Sequence, residues 1–151
     1  MIKLDPSLIG KDFPVCTVTV TAEAIRKFAE AMEDLNPLYL DADAARAAGY
    51  PNMIAPPLFC MQMRGGLMRP EVPIEPGYAS LHAGQDIEFA DEIYAGQTYM
   101  ITAKVAEAYE KTGRSGPMGI IVREVDIKDA DGKKIAVLRE RQIVRSAEKK
   151  I

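Results

Sequence analysis

The chain has 151 residues, 48% hydrophobic and 27% charged, with 19 Lys and Arg against 22 Asp and Glu, which gives a net charge of −3. This composition is typical of a folded globular domain, and the length predicts one domain over 1–151. There is no basic cluster and no apolar run of membrane-spanning length, so we expect neither a nucleic-acid nor a membrane partner. The first ten residues lack the apolar stretch of a secretory leader, which makes the cytoplasm the expected location.

The first third of the chain predicts a strand followed by helices. Residues 13–21 are rich in β-branched side chains, which favour a strand. Thr21 is a good N-cap for a helix over about 22–34, where apolar residues recur at helical spacing. A second short helix is expected over about 41–48, and Gly49 is expected to end it in the left-handed conformation.

A third helix is predicted over about 58–68, directly after two prolines that favour a first helical turn. It is apolar on nearly all sides, which predicts that it is buried, although Gly65-Gly66 should weaken it. Four strands joined by tight turns follow, over 78–89, 97–109, 118–128 and 134–145. This order predicts an α+β protein with an antiparallel β-sheet wrapped around a central buried helix, the hot-dog arrangement; a generic α+β roll would give the same pattern.

One segment of the chain carries a recognisable motif. Residues Asp34–Asp41 read D-L-N-P-L-Y-L-D, and Ala55–Phe59 read A-P-P-L-F. They resemble the active-site segment of the MaoC-like dehydratases, also called (R)-specific enoyl-CoA hydratases, whose pattern is D-x-N-P-x-H. Together with L-H-A-G-Q at Leu81–Gln85, they are similar to the N-terminal, fungal fatty-acid-synthase-like branch. The resemblance implies a hot-dog fold in which an overhang over about 22–55 carries the motif.

The family's reaction is the reversible addition of water to a 2-enoyl thioester, and it uses no cofactor. A carboxylate and an imidazole hold and activate the water. Asp34 matches the catalytic aspartate, and Asn36 matches the asparagine that positions the loop or the water. Tyr39 stands where the family has its histidine. A phenol with an ordinary pKa of about 10 is a poor general base, and losing such a base typically costs about 10²–10⁴-fold in rate.

The resemblance also implies where the substrate binds. The start of the third helix, around Ala55 to Leu58, would stabilise the thioester oxyanion through backbone N–H groups. Since the prolines there have no N–H, the donor should be Leu58 or Phe59. The side chains of Phe59, Met61 and Met63 could line a tunnel for the acyl chain.

Each of these residues also has a structural interpretation. Asp34 could end the first helix, and Asn36 could start a turn. His82 could be an ordinary strand residue or a substitute acid or base, and the methionines could belong to the core. The two cysteines lack metal-ligand spacing and His82 is the single histidine, so no metal site is expected.

Three functions remain open from the sequence. The chain could be the substrate-binding subunit of a heteromeric dehydratase whose partner has the intact motif. It could be a self-sufficient homodimeric hydratase that uses Asp34 with Tyr39 or His82. It could also be an acyl-CoA-binding or carboxylate-only thioesterase-type hot dog. In each case an acyl-CoA or acyl-carrier thioester is the expected ligand, and the unpaired edge of the sheet predicts a homodimer or heterodimer.

Overall fold

The computed structural model of the protein describes residues 1–67, 69–114 and 116–147. Its strands are β1 (Phe13–Thr19), β2 (Tyr78–Phe89), β3 (Thr98–Gly113), β4 (Gly116–Asp129) and β5 (Lys134–Ser146). Its α-helices are α1 (Ala22–Ala31), α2 (Pro37–Leu40) and α3 (Ala42–Ala47), and 3₁₀ helices cover Pro6–Leu8 and Pro57–Gln62. The predicted strands are confirmed, β2 with its predicted bounds and the others within a few residues of theirs.

The five strands form one antiparallel sheet in the order β1-β3-β4-β5-β2. β1 and β2 are therefore its two edges. The β4–β5 hairpin turns at Asp129, whose carboxylate accepts hydrogen bonds from the backbone N–H groups of Asp131 and Lys133 at 3.0 and 2.9 Å. Gly132 completes this turn with a φ of 83°, a conformation that glycine adopts without strain. The Asp-Gly hairpin expected from the sequence is thus confirmed.

The helices begin and end for local reasons. The Thr21 hydroxyl accepts a hydrogen bond from the Ala24 N–H at 3.1 Å, which caps α1. α1 ends at Ala31, earlier than predicted, while α3 ends before Gly49, whose φ of 96° confirms the expected helix stop. The four-residue α2 was not predicted, because Asn36-Pro37 suggested only a turn.

The predicted helix over 58–68 is wrong in length and type. The structure has a short 3₁₀ helix at Pro57–Gln62, which we call the central helix, followed by turns. Gly65 and Gly66 have φ values of 60° and 78°, and such left-handed residues cannot continue a right-handed helix. Met68, at the predicted end, lies outside the described residues.

The main core lies between the central helix and the inner face of the sheet. Phe59, Cys60 and Met63 pack there against buried residues from β3, β4 and β5, including Tyr99, Ile101, Val125, Ile127 and Leu138. α1 covers this core from the side, and its Phe28 ring meets the Phe59 ring edge-on with centroids 5.6 Å apart. The sheet therefore wraps around a central helix, as predicted, although that helix is short.

A buried ion cluster connects the segment after the central helix to the sheet. Arg64 binds Glu140 of β5 with both of its terminal nitrogens, at 2.8 and 2.6 Å. Arg123 of β4 lies directly opposite Glu140 and donates hydrogen bonds to the carbonyls of Arg69 and Pro70 at 2.7 and 2.8 Å. Arg123 and Glu140 are only 2% and 3% exposed. Glu140 thus forms an ion pair with Arg64 and lies opposite the buried Arg123.

Candidate active site

Asp34 follows the end of α1 and is exposed. Glu33 adopts a φ of 57°, and the Asp34 N–H donates to the Ala29 carbonyl at 3.0 Å, which closes the helix with a left-handed residue. The backbone N–H of Asp34 thus caps the C-terminal end of α1. Within the described part of the chain its carboxylate accepts no hydrogen bond, so it faces solvent and is available for chemistry.

Glu33→Gly is expected to stabilise the protein by about 0.5–1 kcal/mol, because glycine reaches positive φ without the steric cost that a side chain carries. Urea unfolding monitored by circular dichroism would measure the change. Glu30→Gly, at an ordinary helical position of the same helix, should lower stability by a similar amount. Equal losses in both variants would contradict the expectation.

Asn36 caps the short helix α2. Its side-chain carbonyl accepts a hydrogen bond from the Leu38 N–H at 3.0 Å, and Pro37 occupies the first helical position. The amide carbonyl of Asn36 therefore has a structural task. Its amide nitrogen donates no hydrogen bond to another described residue.

Arg26 of α1 holds α2 in place, a role that the sequence did not reveal. Its Nε donates to the Leu40 carbonyl at 2.8 Å, and its Nη2 lies 3.7 Å from the sulfur of Met53. A cation at the last carbonyl of a helix is favourable. Arg26 thereby fixes the turn of helix that carries Tyr39.

Tyr39 packs against the main core and is half-buried. Burial raises the pKa of its phenol, and the charges of Asp34 and Glu92 and the neighbouring Tyr50 raise it further. Each effect disfavours the phenolate. Tyr39 therefore keeps its proton at neutral pH and can form hydrogen bonds, but it cannot act as a general base there.

Glu92 comes near Tyr39 through backbone pairing that joins three segments. The Ile54 N–H donates to the Leu38 carbonyl at 3.2 Å, and the Ala55 N–H donates to the Ile93 carbonyl at 2.8 Å. α2, residues 53–55 and residues 92–95 consequently lie side by side. This proximity was not predicted, because Glu92 lies more than 50 residues from the motif in a connection between strands.

The start of the central helix offers one free backbone donor. The N–H groups of Ala55 and Phe59 are occupied, since they donate to Ile93 and Pro56 at 2.8 and 2.9 Å. The N–H of Leu58 has no acceptor among the described residues, and the residue is 46% exposed. Of the two donors expected from the sequence, Leu58 is the one that remains available.

The residues expected to line an acyl tunnel lie in the core. Phe59 and Met63 are buried, Met61 is partly buried, and all three belong to the cluster around the central helix. These side chains contact other core residues.

His82 lies on the edge strand β2, opposite Gln142 of β5, and is exposed. Its imidazole forms no hydrogen bond with another described residue. Asp34 and Glu92 act on Tyr39, but no contact joins His82 to any of the three. The Asp34 carboxylate is near enough to Tyr39 for its charge to raise the pKa of the phenol, whereas His82 contacts neither residue within one chain.

Two further observations concern other kinds of site. Over residues 1–67, 69–114 and 116–147, no three His, Cys, Asp or Glu side chains come together as metal ligands would. In the same part of the chain, no helix is both long and apolar enough to cross a bilayer.

Comparison with known proteins places the chain in a family. The model of the FAS1-like dehydratase domain region matches residues 7–138. A UPF0336 protein of Streptomyces coelicolor is 30% identical over 150 residues, which covers 96% of this chain and 97% of the relative.

Solved structures agree in fold. The C-terminally truncated HadBC (3R-hydroxyacyl-ACP dehydratase) complex of Mycobacterium tuberculosis matches with a TM-score of 0.74 at 19% identity, over 93% of this chain and 99% of that one. A MaoC-like dehydratase from Rhodospirillum rubrum matches with a TM-score of 0.70 at 20% identity, over 93% and 94%. These matches confirm the hot-dog fold, and the chain belongs to the FAS1-like dehydratase-domain family.

Proposed function

We propose that the chain is the substrate-binding subunit of a heteromeric dehydratase. Its substrates are 3-hydroxyacyl or 2-enoyl thioesters of CoA or an acyl carrier, it needs no cofactor, and it works in the cytoplasm. The observation that carries the proposal is Tyr39, a protonated phenol beside Asp34 at the position of the family histidine. The mate is a related hot-dog chain with an intact D-x-N-P-x-H motif.

The chemistry explains why a mate is needed. Dehydration removes a proton from the carbon next to the thioester and delivers a proton to the departing hydroxyl group. A single group that titrates near neutral pH, usually an imidazole paired with a carboxylate, does this work. Asp34 has no such companion in this chain, so the reacting water belongs to the mate's Asp–His pair.

The contribution of this chain is to hold the thioester and its acyl group. The free N–H of Leu58 is a candidate donor to the thioester oxygen, and its exposed side chain, with that of Leu35, offers apolar surface to the acyl chain. The complex formed by HadB and HadC supports the proposal by analogy, since that dehydratase consists of two different hot-dog chains.

The chain alone is expected to hydrate crotonyl-CoA at a rate close to that without enzyme, and a mixture with the intact-motif chain from the same organism is expected to be active. The spectrophotometric loss of the enoyl thioester measures both. Brisk turnover by the purified chain alone would overturn the proposal and favour the self-sufficient homodimer.

The homodimer remains the second candidate because His82 is exposed on an edge strand, where a second copy could receive it. In that case His82→Ala would abolish the activity of the chain alone. Loss of that activity in Tyr39→Phe would instead identify the phenol as the active group. Thiol release from saturated acyl-CoA without any hydration would instead indicate a thioesterase.

A further inference from the structure

A guanidinium group lies on the inner face of the sheet between two apolar clusters. Arg123 of β4 is 2% exposed, and its neighbours two positions away on the same face, Ile121 and Val125, are also buried. Val125 belongs to the main core around the central helix, whereas Ile121 belongs to a second buried cluster that includes Val144. A charge in such surroundings has lost most of its hydration, which is costly unless other polar groups replace the water.

The chain provides acceptors for Nη1 of this guanidinium but not for its Nε. Nη1 donates to the carbonyls of Arg69 and Pro70 at 2.7 and 2.8 Å, and its two hydrogens are enough for these two bonds. The Nε–H of Arg123 is also buried, and no residue in 1–67, 69–114 or 116–147 accepts a hydrogen bond from it. Nε lies on an edge of the guanidinium that can donate two parallel hydrogen bonds to a carboxylate.

The cluster around Arg123 also has one positive charge in excess. The Glu140 carboxylate forms its ion pair with Arg64, and Arg123 forms no ion pair with a residue in the described part of the chain. Two guanidinium groups therefore stand against one carboxylate. Burial lowers the pKa of Arg123, and of the two charged side chains that act on it, Glu140 raises this pKa while Arg64 lowers it. One monovalent anion would balance the charges and accept the Nε–H.

The cluster reaches solvent beside the segment that follows the central helix. The Arg64 side chain is 17% exposed, and the next three residues, 65–67, are exposed. Gly65 and Gly66 have open space where a side chain would begin. A small ion can therefore approach the cluster along this segment, past the Arg64 side chain, without crossing the apolar core.

We propose that Arg123, together with Arg64, binds a small carboxylate anion of the size of formate or acetate. The two carboxylate oxygens accept hydrogen bonds from the Nε edge of Arg123, and the negative charge balances the second guanidinium. The planar guanidinium matches a carboxylate better than it matches a spherical ion such as chloride. The bound anion links Arg64 to β4 and stabilises the folded chain. This site is separate from Asp34 and Tyr39, and it does not depend on the proposed function.

The first test follows the Nε–H of Arg123 in a ¹H–¹⁵N spectrum of the full chain while sodium formate replaces sodium chloride at constant ionic strength. The Nε signal, assigned by its loss in Arg123→Lys, should shift and reach a plateau as formate saturates the site. A signal that does not move over the whole replacement would overturn the proposal, because the Nε–H would then face water or bind chloride equally well.

The second test measures stability by urea unfolding during the same replacement of chloride by formate. Each tenfold rise in formate above the dissociation constant should raise the folding equilibrium constant of the wild type about tenfold. Arg123→Met should remove this dependence. Arg123→Lys, which keeps the buried charge but lacks the planar fork, should also remove it and serves alone if Arg123→Met does not fold.

Arg139→Met is the matched control, because Arg139 lies on the outer face of the sheet and pairs with Glu124. This variant should keep the formate dependence of the wild type. A formate dependence that persists in Arg123→Lys, or that is lost in Arg139→Met as fully as in the Arg123 variants, would overturn the assignment of the site to Arg123.

Discussion

Tyr39→His is expected to give the isolated chain enoyl-CoA hydratase activity, at a rate about 10²–10⁴-fold above that of the wild-type chain. The substitution completes D-x-N-P-x-H, and it places an imidazole beside the unpaired carboxylate of Asp34. An imidazole titrates near neutral pH, unlike the phenol, whose pKa burial and the nearby acids raise. The initial rate of crotonyl-CoA hydration measures the gain.

Two control variants make the result specific. Tyr39→Phe should leave the chain as inactive as the wild type, because the phenol is not a base at neutral pH. Combining Tyr39→His with Asp34→Asn should remove the gained activity, since the imidazole then has no carboxylate partner. If Tyr39→His folds normally but shows no activity, Asp34 is not placed for catalysis. The site would then resemble the family in sequence only.

Glu140→Ala is expected to lower the free energy of unfolding by about 3–5 kcal/mol. The variant leaves Arg64 without its carboxylate partner and removes the negative charge opposite Arg123, which stays buried with its own charge. Burial already lowers the pKa of Arg123, while Glu140 opposes that effect. Chemical unfolding by urea, followed through circular dichroism, gives the difference.

The other members of the cluster provide comparisons. Arg64→Ala should cost less than Glu140→Ala, because Arg123 still faces the Glu140 carboxylate and Arg64 reaches partly into solvent. Glu23→Ala, which breaks a fully exposed pair with Lys27 on α1, should hardly change stability. If Glu140→Ala were as mild as Glu23→Ala, the cluster would not hold the segment after the central helix.

The sheet could be read from the sequence because its signals are local. β-branched runs, alternating apolar residues and the Asp129–Gly132 turn each act within a few residues, and β2 to β5 appear close to their predicted bounds. The length of the central helix was overestimated because its end does not depend on local signals alone. Its apolar residues satisfy a helical pattern, and their packing against the sheet decides the outcome. The backbone turns away from the helix at Gly65 and Gly66.

The site was predictable only where the motif is continuous. Asp34, Asn36 and Tyr39 lie within six residues, so the family pattern identifies them together. Glu92 and Arg26 reach the same place through backbone pairing and a side-chain hydrogen bond, which a sequence does not display. The choice of Leu58 over Phe59 as the free donor likewise depends on one hydrogen bond to Pro56.

Phe59 and Met63 are buried in the core, and Phe28 packs against the Phe59 ring. Under the proposed function the acyl chain lies on the exposed side chains of Leu35 and Leu58, which has a consequence for chain-length discrimination. Each added methylene would contribute up to about 0.8 kcal/mol for as long as it finds apolar surface to cover. The limit on substrate length then lies where that surface ends at the boundary with the second subunit, so that pairing with a different mate would change the preferred length.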